Sequence, residues 1–160
     1  MTAPPRPTAA QARRMRSAAR FYAVQALFQM EAADADLDTV VEEFETIRMG
    51  AEIDGARFAD ADLAHFRTLL AAAVGQQAKI DQLTASALVA RWPIDRIDPT
   101  LRAVFRAAGA ELVATDTPPK VTITEYVDVA KAFYPDGKEA KFVNAVLDHM
   151  ARAARPADFT

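Results

Sequence analysis

The sequence predicts an all-α fold of about seven helices, and three observations carry that expectation. Alanine is the commonest apolar residue, glycine is scarce at five in 160, and apolar side chains recur at spacings of three and four. Alanine favours helix, whereas a chain built from tight hairpins would be expected to contain more glycine. With 51% apolar residues, the chain is long enough for one buried core and too short for two typical domains.

The elements follow in order. Residues 1–12, with Pro4, Pro5 and Pro7, read as a disordered tail. A helix is expected from Arg13 to about Glu31, with Phe21, Val24, Leu27 and Phe28 on its apolar side. A second, Leu37 to about Glu45, offers Leu37, Val40, Val41 and Phe44. Residues 46–58, containing Gly50 and Gly55, have no clear period and read as a loop. Asp60 and Asp62 precede a third helix that carries Phe66, Leu69, Leu70 and Ala73 and ends near Gly75 to Lys79. A fourth runs from about Asp81 and stops before Pro93, which restricts Trp92.

Asp98-Pro99 is a strong helix start, with Asp as N-cap and Pro at the first position. Leu101, Val104, Phe105, Ala108 and Leu112 line one face behind it. Val121 to Phe133 opens on VTIT, a strand-like run, but Ile123, Val127, Ala130 and Phe133 keep the helical period, so a helix is expected. After Pro135-Asp136-Gly137, Asp136 and Glu139 resemble a capping box for a last helix that buries Phe142, Val143, Val146, Leu147 and Met150. One helical domain over 13–155 results, followed by a C-terminal tail over 156–160.

Composition narrows the chemistry. The chain has no cysteine, which excludes disulfides, thiol nucleophiles and Cys-based zinc sites. His65 and His149 lack HxxxH or HxxE partners, and there is no glycine-rich phosphate loop or GxSxG turn. Neither an enzyme nor a cofactor or metal requirement is therefore expected. No apolar run approaches the roughly 20 residues that cross a bilayer, and the N-terminus lacks the apolar core of a signal peptide, so a cytoplasmic location is expected.

The net charge of −3 conceals an asymmetry. Residues 1–30 hold Arg6, Arg13, Arg14, Arg16 and Arg20 and no acid, whereas residues 31–62 hold eleven acids against Arg48 and Arg57. A basic arm on an acidic protein points to an anionic partner. At 100° per residue Arg13, Arg16 and Arg20 share a face with Arg14 beside it, and the stripe continues into Val24 and Leu27. The first turns are therefore expected to project beyond the core. Two readings stand: a solvated basic face, or a phosphate-binding one in which guanidinium pairs with phosphate. Reversing all four charges is expected to leave the fold intact. Lys138, Lys141, Arg152 and Arg155 form a second basic strip.

Arg16, Arg20, Lys141, Arg152 and Arg155 lie in stretches that resemble the NusB family of bacterial transcription antitermination factors; the full set is RSAARFYAVQALFQME (16–31), FRTLL (66–70), RWPIDRIDPTLRAVFRAAGAEL (91–112), PPKVTITEYVDVAKAF (118–133) and KFVNAVLDHMARAAR (141–155). The departures are small. Ala145 and Thr124 stand where the family often has Gly and Asn, Ala110 where it has an aromatic, and Ser17 and Ala18 where some members carry Arg.

The resemblance implies two perpendicular three-helix bundles and pairing with the small-ribosomal-subunit protein NusE. It also implies binding of boxA RNA with that partner, within an RNA polymerase antitermination complex acting notably on rRNA operons. It implicates Arg13, Arg14, Arg16 and Arg20 in RNA binding, with Lys138, Lys141 and Asn144 as a weaker second group, and places the NusE surface largely on the C-terminal bundle. Two alternatives remain: the RNA-binding domain of an rRNA cytosine methyltransferase, and a helical protein-interaction module whose basic arm is incidental. Monomer and homodimer are both compatible with the sequence.

Overall fold

The computed structural model describes residues 6–48, 52–53, 56–57, 61–88 and 93–159. Among these residues there are seven α-helices: α1 (Ala9–Ala33), α2 (Leu37–Glu43), α3 (Leu63–Gly75), α4 (Gln77–Ala87), α5 (Pro99–Ala114), α6 (Pro119–Phe133) and α7 (Lys138–Ala154). The expectations for Pro4, Pro5, Gly50, Gly55, Asp60, Trp92 and Thr160 fall outside the described residues.

Helix α5 is the centre of the assembly. It packs on α1, α3, α4, α6 and α7, while α2 leans on α1 and α3. Its sequence accounts for this position. Asp98 caps the first turn by accepting from the Thr100 N–H at 2.8 Å, Pro99 fixes the first helical residue, and Leu101 to Phe105 and Ala107 to Leu112 are all buried. Small residues let neighbours approach. A Cβ on Gly109 would lie 2.5 Å from Ile80 Cγ2, so α4 and α5 touch almost backbone to side chain there.

The helical reading of VTIT holds: Thr122 and Ile123 are buried within α6, so the 3.6-residue period outweighs the strand preference of its β-branched residues. Elsewhere the structure corrects the sequence reading. The tail assigned to residues 1–12 ends early, because Thr8 and Gln11 form a reciprocal capping box that starts α1 at Ala9. Expected to begin near Asp81, α4 starts at Gln77, with Gln76 serving as C-cap of α3 and N-cap of α4. The loop assigned to 46–58 contains the end of a π-helical turn, Phe44–Arg48, and a two-residue antiparallel pairing of Glu52–Ile53 with Ala56–Arg57.

The expected Asp136 cap is replaced by Gly137, whose φ of 80° lies in the left-handed region that glycine adopts without strain. Phe142 is half-buried instead of fully enclosed, edge-on to Phe105 at a ring-centroid distance of 6.0 Å. The C-terminal tail assigned to 156–160 includes a 3₁₀ turn, Pro156–Phe159. It is held by Arg155 bonding to Asp158 and by the Arg152 guanidinium 4.6 Å from the Phe159 ring centroid.

Candidate nucleic-acid interface

The capping box at Thr8 builds the basic arm. Thr8 Oγ1 accepts from the Gln11 N–H at 3.1 Å and Gln11 Oε1 accepts from the Thr8 N–H at 2.7 Å, satisfying two amides at the helix start. Helix α1 is thereby ordered for ten residues before Ala19, its first buried residue. Arg13 and Arg14 are exposed and Arg16 is half-buried, so three guanidinium groups are carried on turns that project from the bundle. The first turn of α1 holds no acid, and the arginines begin only in the second turn, beyond the reach of the macrodipole, so their pull on an anion is that of the guanidinium charges themselves.

Arg20 departs from the expected site. The stripe that exposes Arg13 enters the bundle by Arg20, which is only 2% exposed. Its Nε donates to Glu111 Oε1 at 2.9 Å and its Nη2 to Glu111 Oε2 at 2.7 Å, a bidentate pair, while Nη1 lies 3.3 Å from Glu125 Oε1. Glu111 is fully buried. It also accepts from the Tyr126 hydroxyl at 3.0 Å and has His65 Nε2 at 3.3 Å. Burial alone would raise the carboxyl's pKa; the neighbouring His65 and Arg20 outweigh burial and hold it at about 2. Tyr126 is pushed well above the usual phenol range, by burial first and then by the Glu111 charge. Arg20, Glu111 and Tyr126 are enclosed and hydrogen-bonded to one another, joining α1, α5 and α6, while His65 Nε2 of α3 lies beside them without a hydrogen bond of its own.

The signal for this cluster was present in the sequence. Glu111 falls on the same stripe as Leu101, Val104, Phe105 and Ala108, so it is an acid at a core position, which requires a buried basic partner. Arg20, leading into Val24 and Leu27, is that partner.

The second group is assembled separately. Lys138, Lys141 and Asn144 are all exposed on the first two turns of α7. Lys138 lines a cavity of about 480 Å³ together with Arg96, Asp98, Tyr134 and Phe142. Tyr134, also in its lining, donates to Asp98 at 2.6 Å, and burial followed by that carboxylate raises the phenol's pKa well above its usual range. The two basic groups do not form one patch. Ser17 meets α6 at Glu125 and Phe21 stacks on Phe133, about 12 Å of helix rise further along. The arginines therefore lie beyond Glu125, and Lys138 beyond the other end of α6. Arg152 and Arg155, the remainder of the α7 strip, are engaged internally: Arg152 bonds to Asp148 and Arg155 to the Thr117 carbonyl.

One residue of the apolar side of α1 lies at the surface. Phe28 is 40% exposed, beside a cavity of about 300 Å³ lined by Val24, Gln25, Phe44, Thr100 and Phe133. An exposed aromatic on a rigid helix next to an apolar recess has the composition of a protein-docking surface.

Fold and site together define a small helical binding protein with a projecting basic helix end and a separate apolar recess. The NusB family model matches residues 17–152, and the chain belongs to the NusB family. Its relatives include the transcription antitermination protein NusB of Brucella abortus strain S19, 46% identical over 94% of this chain and 88% of the relative. Among solved structures, Thermotoga maritima NusB matches with a TM-score of 0.69 at 28% identity, covering 99% of both chains. A crystal structure of the antitermination factors NusB and NusE in complex with dsRNA matches with a TM-score of 0.67 at 27% identity, over 88% of this chain and 98% of that one.

Proposed function

We propose that this chain is a transcription antitermination factor that binds boxA-type RNA jointly with a NusE partner and promotes readthrough by RNA polymerase, notably in rRNA operons. The observation that carries the reading is the projecting start of α1. Two exposed arginines and a half-buried third stand on ordered helix ahead of its first buried residue, a geometry suited to phosphate. Its likeness to the NusB, NusE and dsRNA assembly supports the same reading. The contacting residues are Arg13, Arg14 and Arg16, with Lys138, Lys141 and Asn144 as a second contact at the far end of α6. Arg20 is left out because its guanidinium is committed to Glu111.

In place of the C-terminal bundle that the resemblance suggests, we assign the protein partner to the recess around Phe28, lined mostly by α1, since an aromatic left exposed on a packed helix gains most from being covered. The chain acts by binding and not by catalysis: its strongly perturbed core groups, Glu111 and Tyr126, are enclosed in structural hydrogen bonds.

The test is a titration of labelled boxA RNA with wild type and with the triple variant Arg13→Glu, Arg14→Glu, Arg16→Glu. The triple variant is expected to lose RNA binding at unchanged helicity and melting temperature. Arg20→Glu, by contrast, would place two acids together in the core and is expected to unfold the protein. This replaces the expectation that all four reversals leave the fold intact. Wild-type affinity in the triple variant would refute the assignment.

A further inference from the structure

The exposed and buried portions of the arginine stripe meet at a single acid. Along α1, Arg13 is exposed, Arg16 half-buried and Arg20 enclosed, and on α6 beside the point where the stripe enters the core stands Glu125. Ser17 Oγ donates to both of its carboxylate oxygens, at 3.1 and 2.9 Å, and Arg20 Nη1 lies 3.3 Å from Oε1. Its side chain remains 26% exposed, so the carboxylate is at the waterline, gripped by α1 on one side and open to solvent on the other.

The charges around it do not cancel it. Arg20 is already matched bidentately by Glu111, which is fully buried and also has His65 Nε2 at 3.3 Å, and Ser17 contributes a neutral hydroxyl. Glu125 therefore leaves a negative charge at the inner edge of the basic face. It holds the root of the projecting helix, and it repels any phosphate that approaches beyond Arg16.

We infer that Glu125 is a specificity-determining boundary of the RNA face, confining phosphate contact to the projecting turns of α1; this rests on the RNA-binding reading above. An RNA held in one register by base contacts places its phosphates on the arginines and avoids the boundary. An RNA bound only through phosphates samples many registers, including those that bring its backbone against Glu125. The acid therefore penalises sequence-independent binding more than specific binding. Its cost to an approaching phosphate is that of a partly exposed charge, and salt screens it.

The experiment compares wild type and Glu125→Gln, which keeps an acceptor for Ser17 and removes the charge, in titrations of boxA and scrambled RNA at about 50 and about 200 mM salt. At low salt the variant is expected to bind scrambled RNA roughly two- to fivefold more tightly, with a smaller gain for boxA and both gains shrinking at higher salt. Glu125→Asp, which keeps the charge, should retain the wild-type preference. Equal gains for both RNAs, or none, at an unchanged melting temperature would overturn the inference. Should the Gln variant melt well below wild type, Glu125→Met removes the charge at similar side-chain length and takes its place. Unfolding of both would make the carboxylate a structural group and sink the proposal.

The triple arginine variant in the same titration separates two failures. If it binds like wild type, the RNA reading itself fails and this inference with it. If it loses binding while Glu125→Gln changes nothing, only the boundary is wrong.

Discussion

At the scale of residues, the buried pair of Arg20 and Glu111 ties stability to pH. The Glu111 carboxyl is held at about 2 in the folded protein against an ordinary value of 4.5. A depressed carboxylate contributes stability that is fully present above the unfolded value and is lost as pH falls toward the folded one. The difference corresponds to on the order of 3 kcal/mol, disappearing between about pH 4.5 and about pH 2. Urea melts at pH 7 and pH 3 should therefore show a marked loss in wild type. Glu111→Gln should be less stable at neutral pH by about 3–5 kcal/mol, because Arg20 is left buried without its counter-charge. It should also lose much of the acid dependence. A wild-type acid profile in the Gln variant would assign the effect to other carboxylates.

The same pair marks the limit of what the sequence could reveal. Helical periodicity correctly put Arg13, Arg16 and Arg20 on one stripe, but a stripe does not say where along its length the bundle begins. That depends on α5 and α6 arriving opposite Arg20, which is a tertiary fact. Glu111 among apolar neighbours was the readable clue. Phe142 shows the reverse limit: it has core spacing, but it faces the cavity it shares with Lys138 and stays half-buried.

At the scale of elements, the helix starts that carry a local chemical signature were legible and those set by packing were not. Asp98-Pro99 announced α5, and the bond from the Thr100 amide confirms it. The junction of α3 and α4 has no such signature, since Gln76 makes no side-chain cap, and the start of α4 was placed four residues late. At α1 the Thr8–Gln11 signature was present but masked by the prolines before it. Where α4 crosses α5, Gly109 is a matter of space. Alanine would favour the helix by about 1 kcal/mol, but its Cβ would meet Ile80 Cγ2 at 2.5 Å and Met150 Cε at 3.3 Å. The Ile80 methyl sits on a branched, stiff side chain and cannot swing aside. Overpacking should win, so Gly109→Ala is expected to destabilise by about 1–2 kcal/mol, read as a lower denaturant midpoint. A more stable variant would show that the helices separate easily at this crossing.

At the scale of the whole molecule, the charge asymmetry and the two surfaces set how binding should behave. Three arginines neutralise few phosphates, so the lone protein should bind RNA weakly, with a salt slope that is real but set by those few contacts. A partner that brings its own RNA contacts makes the second attachment intramolecular. The chain paired with NusE is therefore expected to bind boxA RNA much more tightly than the chain alone at one moderate salt concentration, and to prefer it over a scrambled sequence. Equal affinities for the lone chain and the pair would contradict this. Phe28→Asp should remove the gain by blocking pairing, while leaving the weak binding of the lone chain unchanged.

Helix α1 is one uninterrupted rod of 25 residues, about 37 Å long; its first buried residue is Ala19, preceded by lighter contacts where the Met15 carbonyl accepts from the Asp62 N–H and Ser17 bonds to Glu125. Its amides should therefore report two different clocks. Those between Arg13 and Arg16 can open by local fraying and exchange their hydrogens quickly, whereas those from Ala23 to Leu27 exchange only when the bundle itself opens. A ligand gripping the projecting turns would slow the first clock and scarcely touch the second. The change in exchange rate along this one helix would thus map, residue by residue, how much order the bound partner imposes.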